Sequence, residues 1–354
     1  MDKKVHTKNP KTSKNKGIIS FYEEKKETFG LNKQESNSES KNIINTQTSS
    51  ELDCSTISTN YSINTIKIDE LNNNKIIEKI PTLFKLDFSD EKLNYIFSNE
   101  YIDEIYTNLV LDENNSKLCI KKDYMKNQNE INEKMREILV DWIIEIHFQL
   151  HLKRKTLFQT IYIIDLYFSN KIVHLVQLQL LGVVALLISF KENEIFCPNM
   201  NHFVGLANGY YSKKEILKME ILVLQTLNFD IFTPTADEFY NILSKAFNFN
   251  KIQHYFGEYF LDSSLIDYKM IKYKPSTIAV ACAYIVMKFF GLNGYKYLYS
   301  SKIISGNSTE NTIKECARDL CFLVKYLSNS SLRATKLKYS SQELGNVAAL
   351  CEKQ

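Results

Sequence analysis

Two stretches, 177–190 and 275–287, carry no charged residue at all. A helix that is apolar on every side has to be surrounded by other helices. Each stretch also sits third in its own series of helix-patterned segments. In the first series the segments are about 132–150, 155–169, 177–191, 199–208 and 212–227. In the second they are about 235–247, 251–268, 275–290 and 309–328. The turn between the series is Phe229-Asp230-Ile231-Phe232-Thr233-Pro234. Two central helices predict two small bundles rather than one large one. A shorter helix is expected near 96–111, with Phe97, Tyr101, Ile105 and Leu109 on one stripe. From about residue 95 to 330 apolar residues recur at three- and four-residue spacing, and no sustained period-two alternation occurs. The fold class is therefore all-α.

The segment before that pattern is different in kind. Residues 1–80 hold 13 Lys against 11 Asp plus Glu, with many Asn, Ser and Thr. Such a chain cannot bury enough apolar surface to offset its ordering entropy, so a disordered tail over 1–85 is expected. Lys3, Lys4, Lys8, Lys11, Lys14 and Lys16 crowd its start. They read either as a nuclear import signal or as a solvated basic tail. No apolar h-region follows Met1, and the run Leu180–Ile188 falls short of the roughly 20 residues of a membrane span. No membrane partner is expected.

The formal net charge of +3 gives no global support for nucleic-acid binding. Seven cysteines are scattered, with no Cys-x-x-Cys pair, and reduced thiols are expected. His147 and His151 stand four apart, but Phe148 occupies the place where a zinc protease needs its Glu. No Gly-x-Gly-x-x-Gly, Walker loop or Gly-x-Ser-x-Gly is found. No catalytic residue, metal or cofactor is expected, and an enzyme reading has no chemical constellation behind it.

One segment is far more specific than these patterns. Met135-Arg136-Glu137-Ile138-Leu139-Val140-Asp141-Trp142-Ile143-Ile144-Glu145-Ile146 closely resembles the first helix of the cyclin box in A/B-type cyclins. The family pattern there is Met-Arg-Ala-Ile-Leu-Val-Asp-Trp-Leu-Val-Glu-Val, and Glu137 is the departure at the third position. Tyr124-Met125-x-x-Gln128-x-x-Ile131-Asn132 is similar to the same family. So are Leu178-Gln179-Leu180-x-Gly182, Met219-Glu220-x-x-Val223-Leu224 and Lys274-Pro275-Ser276-x-Ile278-Ala279. His147 and the ending Asn228-Phe229-Asp230 lean towards the B class. The resemblance implies two consecutive five-helix cyclin-box bundles, over 95–233 and 234–335, with a C-terminal tail over 336–354. It also implies a regulatory subunit that binds and activates a cyclin-dependent protein kinase and controls the G2/M transition, in nucleus and cytoplasm.

The resemblance assigns two surfaces. Lys191 and Glu220 match the residues that hydrogen-bond the kinase's regulatory helix. Ile188, Leu224, Phe229 and Ile231 match apolar contacts around them, with Tyr101 and Ile105 on the preceding helix. Glu192 stands where the family has an aromatic. The second surface is a docking patch for Arg-x-Leu peptides of substrates or inhibitors: Met135, Ile138, Leu139, Trp142, Glu145, Leu178 and Gln179. By spacing alone, Met135, Ile138, Leu139 and Trp142 form one stripe. Other faces of that helix are also apolar, so the stripe is either core or a docking site. Gln149 and Asn208 stand where related proteins often carry acids.

Lys191-Glu192-Asn193 spells a degradation motif inside the predicted fold, and no Arg precedes Arg136, so the tail lacks an Arg-x-x-Leu destruction box. Two other cyclin-box readings compete. A promoter-binding transcription factor would want a basic face and an upstream zinc ribbon. A transcription-type cyclin is opposed by the intact first-helix motif.

Overall fold

The computed structural model describes residues 101–114, 119–195, 199–300 and 308–352. The expected tail over 1–85, and Phe97, lie outside the described residues. A first helix, α1, spans Ile102–Asp112, and a 3-10 turn spans Tyr124–Asn127. The first bundle comprises α2 (Glu133–Gln149), α3 (Arg154–Asn170), α4 (Leu175–Asn193), α5 (Met200–Leu206) and α6 (Lys213–Thr226). The second comprises α7 (Ala236–Ala246), α8 (Lys251–Ile266), α9 (Pro275–Phe289), the short α10 (Tyr297–Ser300) and α11 (Glu310–Ser328). Two more helices follow, α12 (Ala334–Tyr339) and α13 (Ala348–Glu352). No strand occurs among the described residues.

Local chemistry sets the helix starts. Asn132 caps α2 by accepting from the Met135 amide at 3.0 Å. Ser212 with Glu215, Thr235 with Glu238, and Asn250 with Gln253 form reciprocal capping boxes at the starts of α6, α7 and α8. Pro275 opens α9, where its missing N–H costs nothing.

The two charge-free stretches take the central places expected of them. α4 is buried from Leu178 to Phe190 and is packed by α2, α3, α5 and α6. By length and composition alone it is apolar enough to cross a membrane, but 67% of its apolar stretch is buried inside the protein. α9 is packed by α7, α8 and α11. Gly182 lets α4 approach α2: a Cβ there would stand 2.9 Å from Leu139 Cδ1.

The bundles are joined by buried charge. Arg154, at the start of α3, reaches Asp237 on α7 at 2.6 Å, Glu258 on α8 at 2.9 Å and Asp262 on α8 at 2.9 Å. It also donates to the Tyr339 hydroxyl at 2.7 Å. Lys338 meets Asp262 at 2.7 Å, and Tyr339 donates to the same carboxylate at 2.9 Å. Burial pushes the Asp262 carboxyl up, but Arg154 and Lys338 outweigh it and hold it well below the usual carboxylate range.

That network corrects one expectation. Residues 336–352 are not a tail: α12 lies against α2 and α8, and Lys338 and Tyr339 are buried. The Ala334 amide donates to Asp141 on α2 at 2.9 Å, which anchors the start of α12. The polar composition of the segment hid this, because Lys338 and Tyr339 find their partner in the buried Asp262 rather than in water.

Candidate functional site

Three elements meet at one face: the end of α4, the outer side of α6 and the linker 228–234. Lys191, in the last turn of α4, bonds Glu220 on α6, Nζ to Oε1 at 2.5 Å. Glu220 is buried and Lys191 is exposed, so the pair presents its cationic end to solvent.

The linker leaves α6 through two successive left-handed residues, Asn228 at φ 52° and Phe229 at φ 61°. Asn tolerates that conformation, but a bulky aromatic rarely adopts it. The turn throws the Phe229 ring outward, 68% exposed. Phe232, 44% exposed, lies three residues on and sits under Lys155, whose Nζ is 5.0 Å from the ring centroid. Leu224 and Ile231 are half-buried, and Ile221 and Leu222 are exposed on α6. Strain and exposed aromatics concentrated in one turn mark a place where an observed outlier argues for function.

Gln159 ties the linker to α4. Its Nε2 donates to Glu192 Oε2 and, at 3.4 Å, to the Ile231 carbonyl, while its Oε1 accepts from Asn193. Sequence reading missed Gln159. It falls on a buried helix as a lone amide, and no spacing rule singles it out.

Ile188 does not reach this surface; it is buried in the core of the first bundle, which corrects its assignment as a contact. Tyr101 is exposed at the start of α1 and Ile105 is half-buried on it. α1 is held against α7, where Tyr106 meets Phe239 edge to face at 5.3 Å.

The second assigned surface is mostly interior. Leu139 and Leu178 are 0% exposed, Ile138 is buried, and Gln179 is 1% exposed. In the free chain Ile138, Leu139 and Leu178 offer almost no side-chain area and Gln179 is closed over, which corrects the reading of the four as an open patch. Met135 and Glu145 are half-buried, and Trp142 keeps 8% of its surface. Along the stripe Ile138, Leu139 and Trp142 lie in the core, and Met135 is half-buried. Gln179 Oε1 is buried with no hydrogen-bond partner among the described residues. An orphaned buried acceptor costs about 1–3 kcal/mol and calls for an explanation.

Among the described residues no group of three or more His, Cys, Asp or Glu is placed to hold a metal ion.

Two consecutive bundles, each with five helices among the described residues, joined by a linker that exposes aromatics beside a Lys–Glu pair, define a cyclin-type architecture. Family models agree: the cyclin N-terminal domain matches residues 104–232 and the cyclin C-terminal domain matches 234–353. The chain belongs to the cyclin family. Its relatives include the G2/mitotic-specific cyclin-B of Dictyostelium discoideum, 33% identical over 231 residues, covering 65% of this chain and 53% of that one. Cyclin-B2-2 of Arabidopsis thaliana is 32% identical over 234 residues, covering 66% and 54%. The G2/mitotic-specific cyclin-B of Hydra vulgaris is 36% identical over 228 residues, covering 64% and 62%. The matched stretch thus spans little more than half the length of these relatives. Among solved structures, the fold is similar to a viral cyclin from herpesvirus saimiri, with a TM-score of 0.56 at 19% identity, covering 62% of this chain and 96% of that one.

Proposed function

We propose that the chain is a non-catalytic, B-type regulatory subunit that binds and activates a cyclin-dependent protein kinase and acts at the G2/M transition, in nucleus and cytoplasm. The observation that carries this is the Lys191–Glu220 pair beside the outward Phe229. Family membership and the B-type names of its relatives support it. The apolar strip of Phe229, Ile231, Phe232 and Leu224 supplies association energy, and the charged pair fixes the orientation of a helix laid on it. A kinase regulatory helix held inward this way completes the Lys–Glu ion pair that the kinase active site needs. Co-purification of a recombinant mitotic-type kinase with the chain, followed by a histone phosphorylation assay, tests this. Activity dependent on the chain supports it, and a folded chain that neither binds nor activates rejects it.

A second role rests on Gln179. The unpartnered Oε1 is buried in the free chain; turned outward, it would accept an amide N–H from an extended Arg-x-Leu peptide, with Met135 and Trp142 lining its path and Glu145 facing the arginine. Leu139 and Leu178 would form the floor beneath, not the contact.

A further inference from the structure

Glu192 stands beside Lys191 on the face just described, and its setting differs from that of the cations around it. The neighbouring cations are committed. Lys191 is bonded to Glu220 at 2.5 Å. Lys155 is bonded to Glu238 at 3.0 Å and lies over Phe232. Lys153 donates from Nζ to the Asn193 carbonyl at 2.5 Å, and its amide bonds Glu194 Oε1 at 2.8 Å. Glu192 bonds none of these cations, and its partner is a neutral amide, Gln159.

That amide is buried, 3% exposed, and is itself fixed by Asn193 and by the Ile231 carbonyl. It grips one carboxylate oxygen of Glu192 while the residue remains exposed to solvent. A glutamate ordinarily loses considerable rotamer freedom when it forms a contact. Here much of that ordering is already done, and the negative charge is held at the edge of the Phe229–Phe232 strip. A preorganised, uncompensated charge at an interface rim favours partners of opposite charge and disfavours like-charged ones.

We propose that Glu192 is a partner-selecting residue: its fixed carboxylate receives a lysine or arginine that the bound kinase places at the edge of the apolar strip. This rests on the kinase-regulator reading above. It adds that kinases with an acidic or apolar residue at the facing position are poorer partners.

The test is the rate of binding to a recombinant mitotic-type cyclin-dependent kinase as a function of salt, with the full chain. Glu192→Gln keeps an oxygen to accept from Gln159 and removes only the charge. Glu192→Lys reverses it. Glu343→Gln, an exposed acid after α12, removes the same charge elsewhere. At 50 mM NaCl, Glu192→Gln is expected to lower the association rate about two- to fivefold and Glu192→Lys about tenfold, with the differences fading by roughly 0.5 M. Glu343→Gln should match the unmodified chain, and thermal melts of all variants should coincide. Wild-type rates for both Glu192 variants across the salt range would overturn the proposal and leave the kinase-regulator reading standing. A Glu343→Gln effect equal to that of Glu192→Gln would also overturn it, by showing that only net charge matters. Failure of the unmodified chain to bind any kinase would remove the underlying reading, and this inference with it.

Discussion

Arg136 on α2 holds Asp165 on α3 at two points, Nε to Oδ1 at 2.7 Å and Nη2 to Oδ2 at 2.6 Å, while its Nη1 donates to the Leu265 and Ile266 carbonyls at 3.0 Å each. One side chain therefore ties the first bundle together and fastens it to the second. Tyr124 adds a third bond to Asp165, at 2.7 Å.

Arg136→Met is expected to destabilise the fold by roughly 3–5 kcal/mol, because it strands a buried carboxylate and two carbonyls. Arg136→Lys should recover only part of the loss, since an ammonium has no fork to match a carboxylate. Urea unfolding of both variants checks this. A loss under about 1 kcal/mol for Arg136→Met would show that the site relaxes to admit water.

His147 gives the fold an acid sensitivity. Burial, and the nearby Lys338 ammonium, push its pKa down to about 4. Its Nε2 lies 3.0 Å from the Lys153 carbonyl, and its Nδ1 has no partner among the described residues. Asp262 opposes the depression and Arg154 adds to it. The folded state thus prefers the neutral ring. Stability is unaffected above the unfolded pKa near 6.5 and falls as pH drops from there towards 4. The full loss is roughly 3 kcal/mol, at about 1.4 kcal/mol per pKa unit. His147→Gln should flatten the pH dependence of the melting temperature between pH 6.5 and 4.5. An unchanged slope would assign the acid sensitivity to other groups.

Removal of residues 334–354 is expected to unfold the second bundle or to lower the melting temperature by more than 10 °C, on the order of 3 kcal/mol or more. It takes away Lys338 and Tyr339 from Asp262, and the capped amide from Asp141. A truncated chain with an unchanged melt would contradict the role given to α12.

The helices of the first bundle were legible in the sequence because periodicity, capping residues and the charge-free core helix all point the same way. The Lys191 and Glu220 positions were legible only through the family motifs, since a lone Lys and a lone Glu carry no spacing signal. What stayed hidden has a common physical cause. Arg154 looks like an ordinary helix-start cation, and nothing local reveals that Asp237, Glu258, Asp262 and Tyr339 converge on it from three other helices. The same long-range pairing buries α12. Ile188, Leu139 and Leu178 were misread as surface because position on a helix face does not reveal how deeply a neighbouring helix covers it.

Gln179→Leu separates docking from packing. Replacing an orphaned buried acceptor by an apolar side chain of similar size should leave stability unchanged or slightly raised. The same change should weaken binding of an Arg-x-Leu peptide by about 1 kcal/mol, roughly fivefold. Calorimetric titration with such a peptide, beside a thermal melt, reads both. Unaltered peptide affinity in a folded variant would remove Gln179 from the docking site.

The most direct measurement is the activity of a recombinant mitotic-type cyclin-dependent kinase on histone as the purified chain is titrated in. The account predicts activity rising by orders of magnitude to a plateau at one chain per kinase. It also predicts that Lys191→Ala with Glu220→Ala shifts the half-maximal concentration upward by roughly tenfold or more, the lower end of what losing an interfacial charged contact costs. A folded chain that leaves several such kinases unactivated at stoichiometric concentration would contradict it.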